Sequence, residues 1–215
     1  VTTIFLDRDG VINENRSDYV KNWHEFCFLP ESLDAIAKLT RAGYRIVVCT
    51  NQAGIARGSI SLETIEDIHR RMRVEVANAG GRIEAVYYCP HAKDANCSCR
   101  KPRPGMLLRA RDELHVDLSE SILIGDSITD IRAGQAAGVH CMLVLTGLGR
   151  EQLRDHYQDA DSPFLIIPGL KQAAELIVQG LHVPLDNQSI PNCTSSLSYK
   201  SKYIDVCASL SSAAR

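Results

Sequence analysis

The sequence predicts an α/β fold, a Rossmann-like and mainly parallel sheet with helices on both faces. Three observations predict it. Short apolar runs of strand length recur along the chain, segments with helical spacing of apolar residues lie between them, and glycines and prolines mark the joins. The first run, Thr2 to Leu6, reads as a buried strand that ends at the charged Asp7-Arg-Asp-Gly10. Further strands are expected at Arg45 to Cys49, Ala85 to Tyr88, Ser121 to Ile124, Cys141 to Leu145 and Phe164 to Ile167. Helical spacing appears at Leu33/Ile36/Ala37, Ile65/Ile68/Met72/Val76/Ala79, Leu107/Ala110/Arg111/Leu114 and Leu170/Ala173/Ala174/Ile177. Gly43 and the Gly80-Gly81 pair stand where helix C-terminal caps belong, and Pro30 and Pro104 where first turns begin.

A chain of 215 residues, 45% of them hydrophobic, buries one sizeable core and fits a single domain, placed at residues 1–186. From about Asn187 serine, asparagine and proline become frequent, so residues 187–215 are expected to be a flexible tail, with a short added helix as the alternative. The net charge of −2, with both signs interspersed, gives no footprint for nucleic acid or an anionic membrane. No run approaches membrane-spanning length and Val1 to Leu6 lacks the features of a secretory signal, so a cytoplasmic and monomeric protein is expected. Of the eight cysteines, Cys27, Cys49 and Cys141 lie in apolar surroundings and Cys89, Cys97 and Cys99 crowd one short stretch. That pattern favours reduced thiols and one metal site over a disulfide scaffold.

In an open parallel sheet ligands sit beyond the carboxyl ends of the strands. The polar groups that follow successive strands are Asp7 and Asp9, then Thr50-Asn51-Gln52, then Cys89 to Lys101, then Asp126-Ser127 with Asp130. Alternation along a strand puts Asp7 and Asp9 on one side and directs Arg8 elsewhere. One carboxylate then attacks phosphorus while the other protonates the leaving oxygen and later activates water. Two carboxylates beside a phosphate require a cation, and Mg²⁺ prefers such oxygens; Asp126, with Asp130 as a further candidate, adds ligand charge. Lys101 balances charge spreading over the phosphoryl oxygens, and Thr50 and the Asn51 amide donate hydrogen bonds to them.

Cys89-Pro-His91, followed by Cys97-Ser-Cys99, supplies three thiolates and an imidazole, a closed tetrahedral set for structural zinc. The loop runs directly into Arg100 and Lys101, so tying it down would hold both over the phosphate site. The gaps after the first two strands are far too short for a cap domain. Arg57 is a candidate for holding a sugar or a second phosphate. His24 and His69 read as surface or packing residues, since neither has metal-spaced partners.

Asp7-Arg-Asp-Gly-Val11, Thr50-Asn-Gln52, Lys101 and Gly125-Asp-Ser-Ile-Thr-Asp130 together resemble the four motifs of the haloacid dehalogenase superfamily. The resemblance implies Asp7 as nucleophile, Asp9 as acid and base, Thr50 and Lys101 as phosphoryl stabilisers, and magnesium held by the Asp7 carboxylate, the Asp9 carbonyl and Asp126. Within the superfamily the zinc loop resembles two branches, the phosphatases of heptose bisphosphate and of histidinol phosphate. Thr50 to Gly58 and Arg100 to Leu108 look like the heptose branch, whose 7-phosphatases serve the supply of activated heptose for surface polysaccharide. The His91 to Cys97 spacing is closer to the histidinol branch. The resemblance further implies that Arg100 recognises substrate and that Asn15, Arg16, Ser17, Asp18, Tyr19, Asn51, Gln52 and Ala53 line the site. Ser127 stands where some heptose enzymes have lysine. A phosphorylated sugar is the expected partner. A zinc-stabilised binding module without catalysis is the reading from another class, opposed by the intact Asp7, Asp9, Lys101 and Asp126 set.

Overall fold

The structure, a computed structural model, describes residues 1–156 and 164–180, together with the backbone of Tyr203–Asp205. Its strands are β1 (Thr3–Leu6), β2 (Arg45–Asn51), β3 (Ile83–Cys89), β4 (Ile122–Gly125), β5 (His140–Val144), β6 (Phe164–Ile167) and β7 (Tyr203–Asp205). All pair in parallel, in the order β3-β2-β1-β4-β5-β6-β7. The helices are α1 (Ser32–Arg41), α2 (Leu62–Asn78), α3 (Gly105–Leu114), α4 (Ile128–Ala137), α5 (Gly149–His156) and α6 (Leu170–Val178).

Successive side chains of each strand serve opposite faces. Ile4 and Leu6 pack with Ile46, Val48, Ile124 and Met142 under the stripes of α1, α2 and α6. Phe5, Val47, Cys49 and Leu123 face the other way, onto Met106, Leu107 and Ala110 of α3. Ile128 and Ile131 of α4 join Cys141, Leu143 and Phe164 on that second face. The sheet is therefore buried on both sides, as near-continuous apolar strands require.

Two helices lack the periodic signal that revealed the others. In α4 the apolar stripe is broken by Gly134, which contact with β5 demands: a Cβ there would come 2.4 Å from Cys141 Sγ. In α5 only Gly149 is buried. The helix ends behave as expected, with Ala42 and Ala79 as C-caps and Gly43 and Gly80 following at positive φ. Pro104 is the N-cap of α3, and Glu31, one residue after Pro30, caps α1. The expected tail from residue 187, including Cys193 and Cys207, lies outside the described residues apart from the β7 backbone. Residues 7–31 and 52–61 join the first two strands to their helices, with only a short 3-10 turn at Trp23–Glu25 and isolated bridges among them, and neither forms a cap.

Strand order decides where a ligand sits. From β1 the chain steps outward to β2 and β3, then returns to place β4 on the other side of β1. The carboxyl ends of β1 and β4 border this switch point, which opens a crevice there.

Candidate active site

Asp7 follows β1 and Asp126 follows β4, and the Asp7 amide donates to Ile124 O at 2.9 Å, so the paired strands bring the two carboxylates together. Asp130 reaches the same point from the first turn of α4, and the three carboxylates lie within 4.8 Å of one another. Gly10 permits the approach: its φ is +84°, and a Cβ would come 1.9 Å from Asp126 Oδ2. Lys101 is buried against this cluster, its Nζ 3.0 Å from Asp7 and 2.5 Å from Asp130, and it donates to Cys49 O at 2.7 Å. Its backbone is fixed by two bonds to Asn51, the Lys101 amide donating to Asn51 Oδ1 and Asn51 Nδ2 to Lys101 O, each 3.1 Å.

The electrostatics follow from this crowding. Burial, together with the Asp130 and Asp9 charges, raises the Asp7 pKa to about 6 against the pull of Lys101. Burial, Asp7 and Asp130 push Asp126 well above the usual carboxylate range. Burial works against the charge of Lys101, but Asp130 and Asp7 outweigh it and hold the ammonium above its ordinary value. One ammonium among three carboxylates leaves an excess of negative charge, which a divalent cation with oxygen ligands would compensate. The donor set therefore fits magnesium.

Asp9 is treated differently. Against the cost of burial, Arg8 and hydrogen bonds from Asn13 and Gln52 lower its pKa. Arg8 Nη2 donates to both carboxylate oxygens at 2.8 and 2.9 Å, and Asn13 Nδ2 and Gln52 Nε2 each donate at 2.8 Å. Arg8 thus does not stand away from the pair of aspartates as strand alternation suggested. The strand ends at Leu6, the following residues turn, with Val11, Ile12 and Asn13 donating to Arg8 O, and the guanidinium is fully buried. His69, read from sequence as surface or packing, is buried in α2 with its Nε2 3.1 Å from Arg8 Nη1.

The remaining candidates fall into three groups. Thr50 is the penultimate residue of β2, buried, and accepts from Gln52 Nε2 at 2.9 Å. Gln52 and Ala53 are buried too, so Gln52 acts on Asp9 and Thr50. Asn15, Arg16, Ser17 and Asp18 are exposed, with Arg16 paired to Asp18 at 3.1 Å and Glu25 at 3.6 Å. Tyr19 carries the Arg57 guanidinium 5.7 Å from its ring centroid, which ties these two candidates together. Ser127 is the N-cap of α4 and forms a capping box with Asp130. A cavity of about 660 Å³ beyond the carboxylates is lined by Asn51, Arg100, Lys101, Arg103, Ser127 and Arg132, among others. Sequence spacing gave neither Arg132 nor His69 a role in the site, since Arg132 lies just past the Gly125 to Asp130 motif and His69 has no metal-spaced partner.

The Cys/His loop stands beside Lys101. Cys89 Sγ lies 3.5 Å from His91 Nδ1 and 3.6 Å from Cys97 Sγ; Cys99 Sγ lies 3.3 Å from His91 Nδ1 and 3.5 Å from Cys97 Sγ. Ligand bonds of about 2.0–2.3 Å in a tetrahedron give edges of about 3.3–3.8 Å. Against burial, the Arg100 amide and the neighbouring thiols lower Cys97 to about 7, while burial and the adjoining sulfurs push Cys99 up to about 12. Three adjoining thiols cannot all ionise without a cation between them, so this set fits zinc.

A model of HAD-hydrolase-like proteins matches residues 98–173. The D-glycero-beta-D-manno-heptose-1,7-bisphosphate 7-phosphatase of Neisseria meningitidis is 40% identical over 176 residues, 82% of this chain and 94% of that protein. The chain belongs to the heptose bisphosphate phosphatase family of haloacid dehalogenase-type hydrolases. Its family relative from Pseudomonas aeruginosa is 47% identical over 146 residues, 68% of this chain and 82% of that protein. Among solved structures, the D,D-heptose 1,7-bisphosphate phosphatase of B. bronchiseptica, complexed with magnesium and phosphate, superposes with a TM-score of 0.78 at 39% identity, covering 84% of this chain and 99% of that one.

Proposed function

We propose that this family member is a magnesium-dependent phosphatase that removes the 7-phosphate of D-glycero-D-manno-heptose 1,7-bisphosphate through an aspartyl phosphate on Asp7. The observation that carries the reading is Lys101 Nζ seated between Asp7 and Asp130 at the sheet's switch point, where a nucleophilic carboxylate and a cation for the phosphoryl oxygens meet. The Asp7 oxygen attacks phosphorus, Asp9 gives a proton to the departing sugar oxygen, and Asp9 then takes a proton from the water that releases phosphate from Asp7. The Asp7 carboxylate, the Asp9 carbonyl and Asp126, with Asp130 beside them, would hold magnesium, which would screen the negative charges of site and substrate from one another. Thr50 and the Asn51 amide hold the phosphoryl oxygens. Cys89, His91, Cys97 and Cys99 would hold a structural zinc that would keep Arg100 and Lys101 in place.

Beyond the phosphoryl group, Arg100, Arg103 and Arg57 suit sugar hydroxyls and a second phosphate, and match poorly to a cationic histidinol. Asn15 to Tyr19 and Ser127 border the sugar in this reading. The free cysteines and the thiolate-rich loop suit a reducing compartment, so we place the enzyme in the cytoplasm, acting as a monomer on a small phosphorylated sugar in the supply of activated heptose. The heptose names of the relatives described above favour this branch over the histidinol one.

The test is phosphate release under matched magnesium and pH. The heptose bisphosphate should show a higher kcat/KM than histidinol phosphate, and Arg100→Ala should cut that advantage by about 10- to 100-fold while affecting a small generic ester less. A preference for histidinol phosphate overturns the substrate assignment.

A further inference from the structure

His69 is buried on α2 with Ile65, Ile68, Met72 and Val76, its ring centroid 5.4 Å from that of Tyr88. Its Nε2 meets Arg8 Nη1 at 3.1 Å. A guanidinium carries donors and no acceptor, so Nε2 accepts and the imidazole is neutral with its proton on Nδ1. Burial and then the Arg8 charge reinforce that form, holding the His69 pKa down to about 3. Arg8 is itself enclosed, with the Phe26 ring 5.8 Å from its guanidinium carbon, His69 on one side and the Asp9 carboxylate on the other.

From this geometry we infer that His69 is a positioning residue for Asp9, acting through Arg8, sixty-one residues apart in sequence but one hydrogen bond apart in space. The guanidinium is planar and donates along fixed directions, so anchoring Nη1 on His69 sets the plane in which Nη2 presents itself to both Asp9 oxygens. Without the acceptor, Nη1 is a buried donor with nothing to receive it, and the fork can tilt to seek another partner. Asp9 tilts with it.

The inference rests on the aspartyl-phosphate reading above, in which Asp9 acts twice. In the first half-reaction the bond from phosphorus to the leaving oxygen breaks as Asp7 attacks, and Asp9, which takes up a proton against the pull of Arg8 when the negative phosphate lies beside it, donates that proton to the leaving oxygen. In the second, water attacks phosphorus, the Asp7–phosphorus bond breaks with its electron pair returning to Asp7, and Asp9 takes the water's proton. A misplaced Asp9 therefore slows both halves for an alkyl ester. For p-nitrophenyl phosphate, whose leaving group departs without protonation, it slows the second half alone.

The experiment compares the full-length magnesium-loaded enzyme with His69→Leu, which removes the acceptor, and His69→Gln, whose amide oxygen retains one. On p-nitrophenyl phosphate, His69→Leu should lose roughly 10- to 100-fold in kcat with kcat/KM changed less than about twofold, and should release a burst of one nitrophenolate per site. On the heptose bisphosphate both kcat and kcat/KM should fall, and His69→Gln should recover most of the loss on both substrates. Equal losses in kcat/KM on the two esters, or His69→Gln no better than His69→Leu at a shared thermal midpoint, overturn the positioning role, as does unchanged turnover in His69→Leu. Trapping with hydroxylamine reads the underlying mechanism separately. Absence of acyl phosphate in the wild type removes the aspartyl-phosphate reading, whereas acyl phosphate that does not accumulate in His69→Leu removes only the role of His69. Wild-type turnover of p-nitrophenyl phosphate without the heptose bisphosphate counts against the substrate alone and leaves the nitrophenyl comparison intact.

Discussion

The two clusters suited to cations, Asp7/Asp126/Asp130 and Cys89/His91/Cys97/Cys99, are linked through Lys101, which follows Cys99 by two residues and touches Asp7, and they are opposite in construction. The carboxylates come from the ends of two paired strands and the first turn of a capped helix, and Lys101 already neutralises part of their charge. Their geometry is a property of the sheet. The sulfurs and imidazole come from the end of β3 and the short irregular loop beyond it, with Cys89 buried, Cys97 and Cys99 partly so and His91 exposed. No ladder holds that loop together; Arg103 donates to Cys97 O at 2.7 Å and Arg100 to His91 O at 3.3 Å, and the rest of its shape is left to whatever joins the four donors. The comparison teaches that similar proximity can be imposed by a scaffold or by a ligand, and the two respond differently to loss of a residue or a metal.

The largest effect separates chemistry from scaffold. Asp7→Asn should reduce turnover by about 10⁴-fold or more, because an amide neither attacks phosphorus nor offers the same charge to magnesium, while the thermal midpoint holds or rises. Steady-state kinetics on a preparation free of contaminating phosphatase, with calorimetry alongside, reads both. A midpoint that collapses with activity would show that the carboxylates hold the sheet rather than the reverse.

In the loop the effects should move together. Cys97→Ser, or zinc removed by a chelator and checked by metal analysis, should cost roughly 3 kcal/mol, about 6–12 °C in midpoint for a chain of this size, with activity falling in parallel as Arg100 and Lys101 lose their anchor. Magnesium removal should abolish activity reversibly and leave zinc content unchanged. Loss of zinc without loss of stability would break the contrast.

The pH response sharpens the electrostatic half of it. Asp7 has its pKa raised from 3.8 to about 6 in the folded protein. A carboxyl shifted upward favours the folded state while protonated, so this contribution is complete below about pH 4 and lost as pH rises through about 6. In magnesium-free protein, wild type should lose up to about 3 kcal/mol relative to Asp7→Asn between pH 4 and 7, and added magnesium should restore much of it. Parallel pH–stability curves for the two proteins would remove Asp7 from the set of strained carboxylates.

The smallest effect concerns α4, which presents Asp130. Ser127→Ala removes an N-cap and should cost about 1 kcal/mol, a shift of about 2–4 °C, with little change in KM. A large rise in KM for the heptose bisphosphate with an unchanged midpoint would make Ser127 a substrate contact first and a cap second.

Much of this architecture was legible because its signals are local. The strands are short apolar runs, the long helices repeat their apolar positions at helical spacing, and the loop's donors are close neighbours in the chain. Asp7 and Asp126 are legible as candidates because polar residues that directly follow buried strands gather at one edge of a parallel sheet, whereas Thr50 lies within β2 and Lys101 beyond the Cys/His loop. The weak signals have equally concrete causes. Contact with β5 admits no side chain at Gly134, which interrupts the stripe of α4, and α5 buries almost nothing.

By itself the sequence determined the fold class, six of the strands in chain order and the motif residues, since each depends on periodicity or on neighbours in the chain; the order of those strands in the sheet came from the structure. Only the tertiary structure decided that Asp130 shares Lys101 with Asp7, that Gln52 turns onto Asp9, and that Arg8 folds inward to join Asp9 with His69. Those pairings join segments with no common spacing. A buried polar group must find a partner somewhere, but which partner depends on how the helices settle on the sheet, and no local pattern in the chain records that packing.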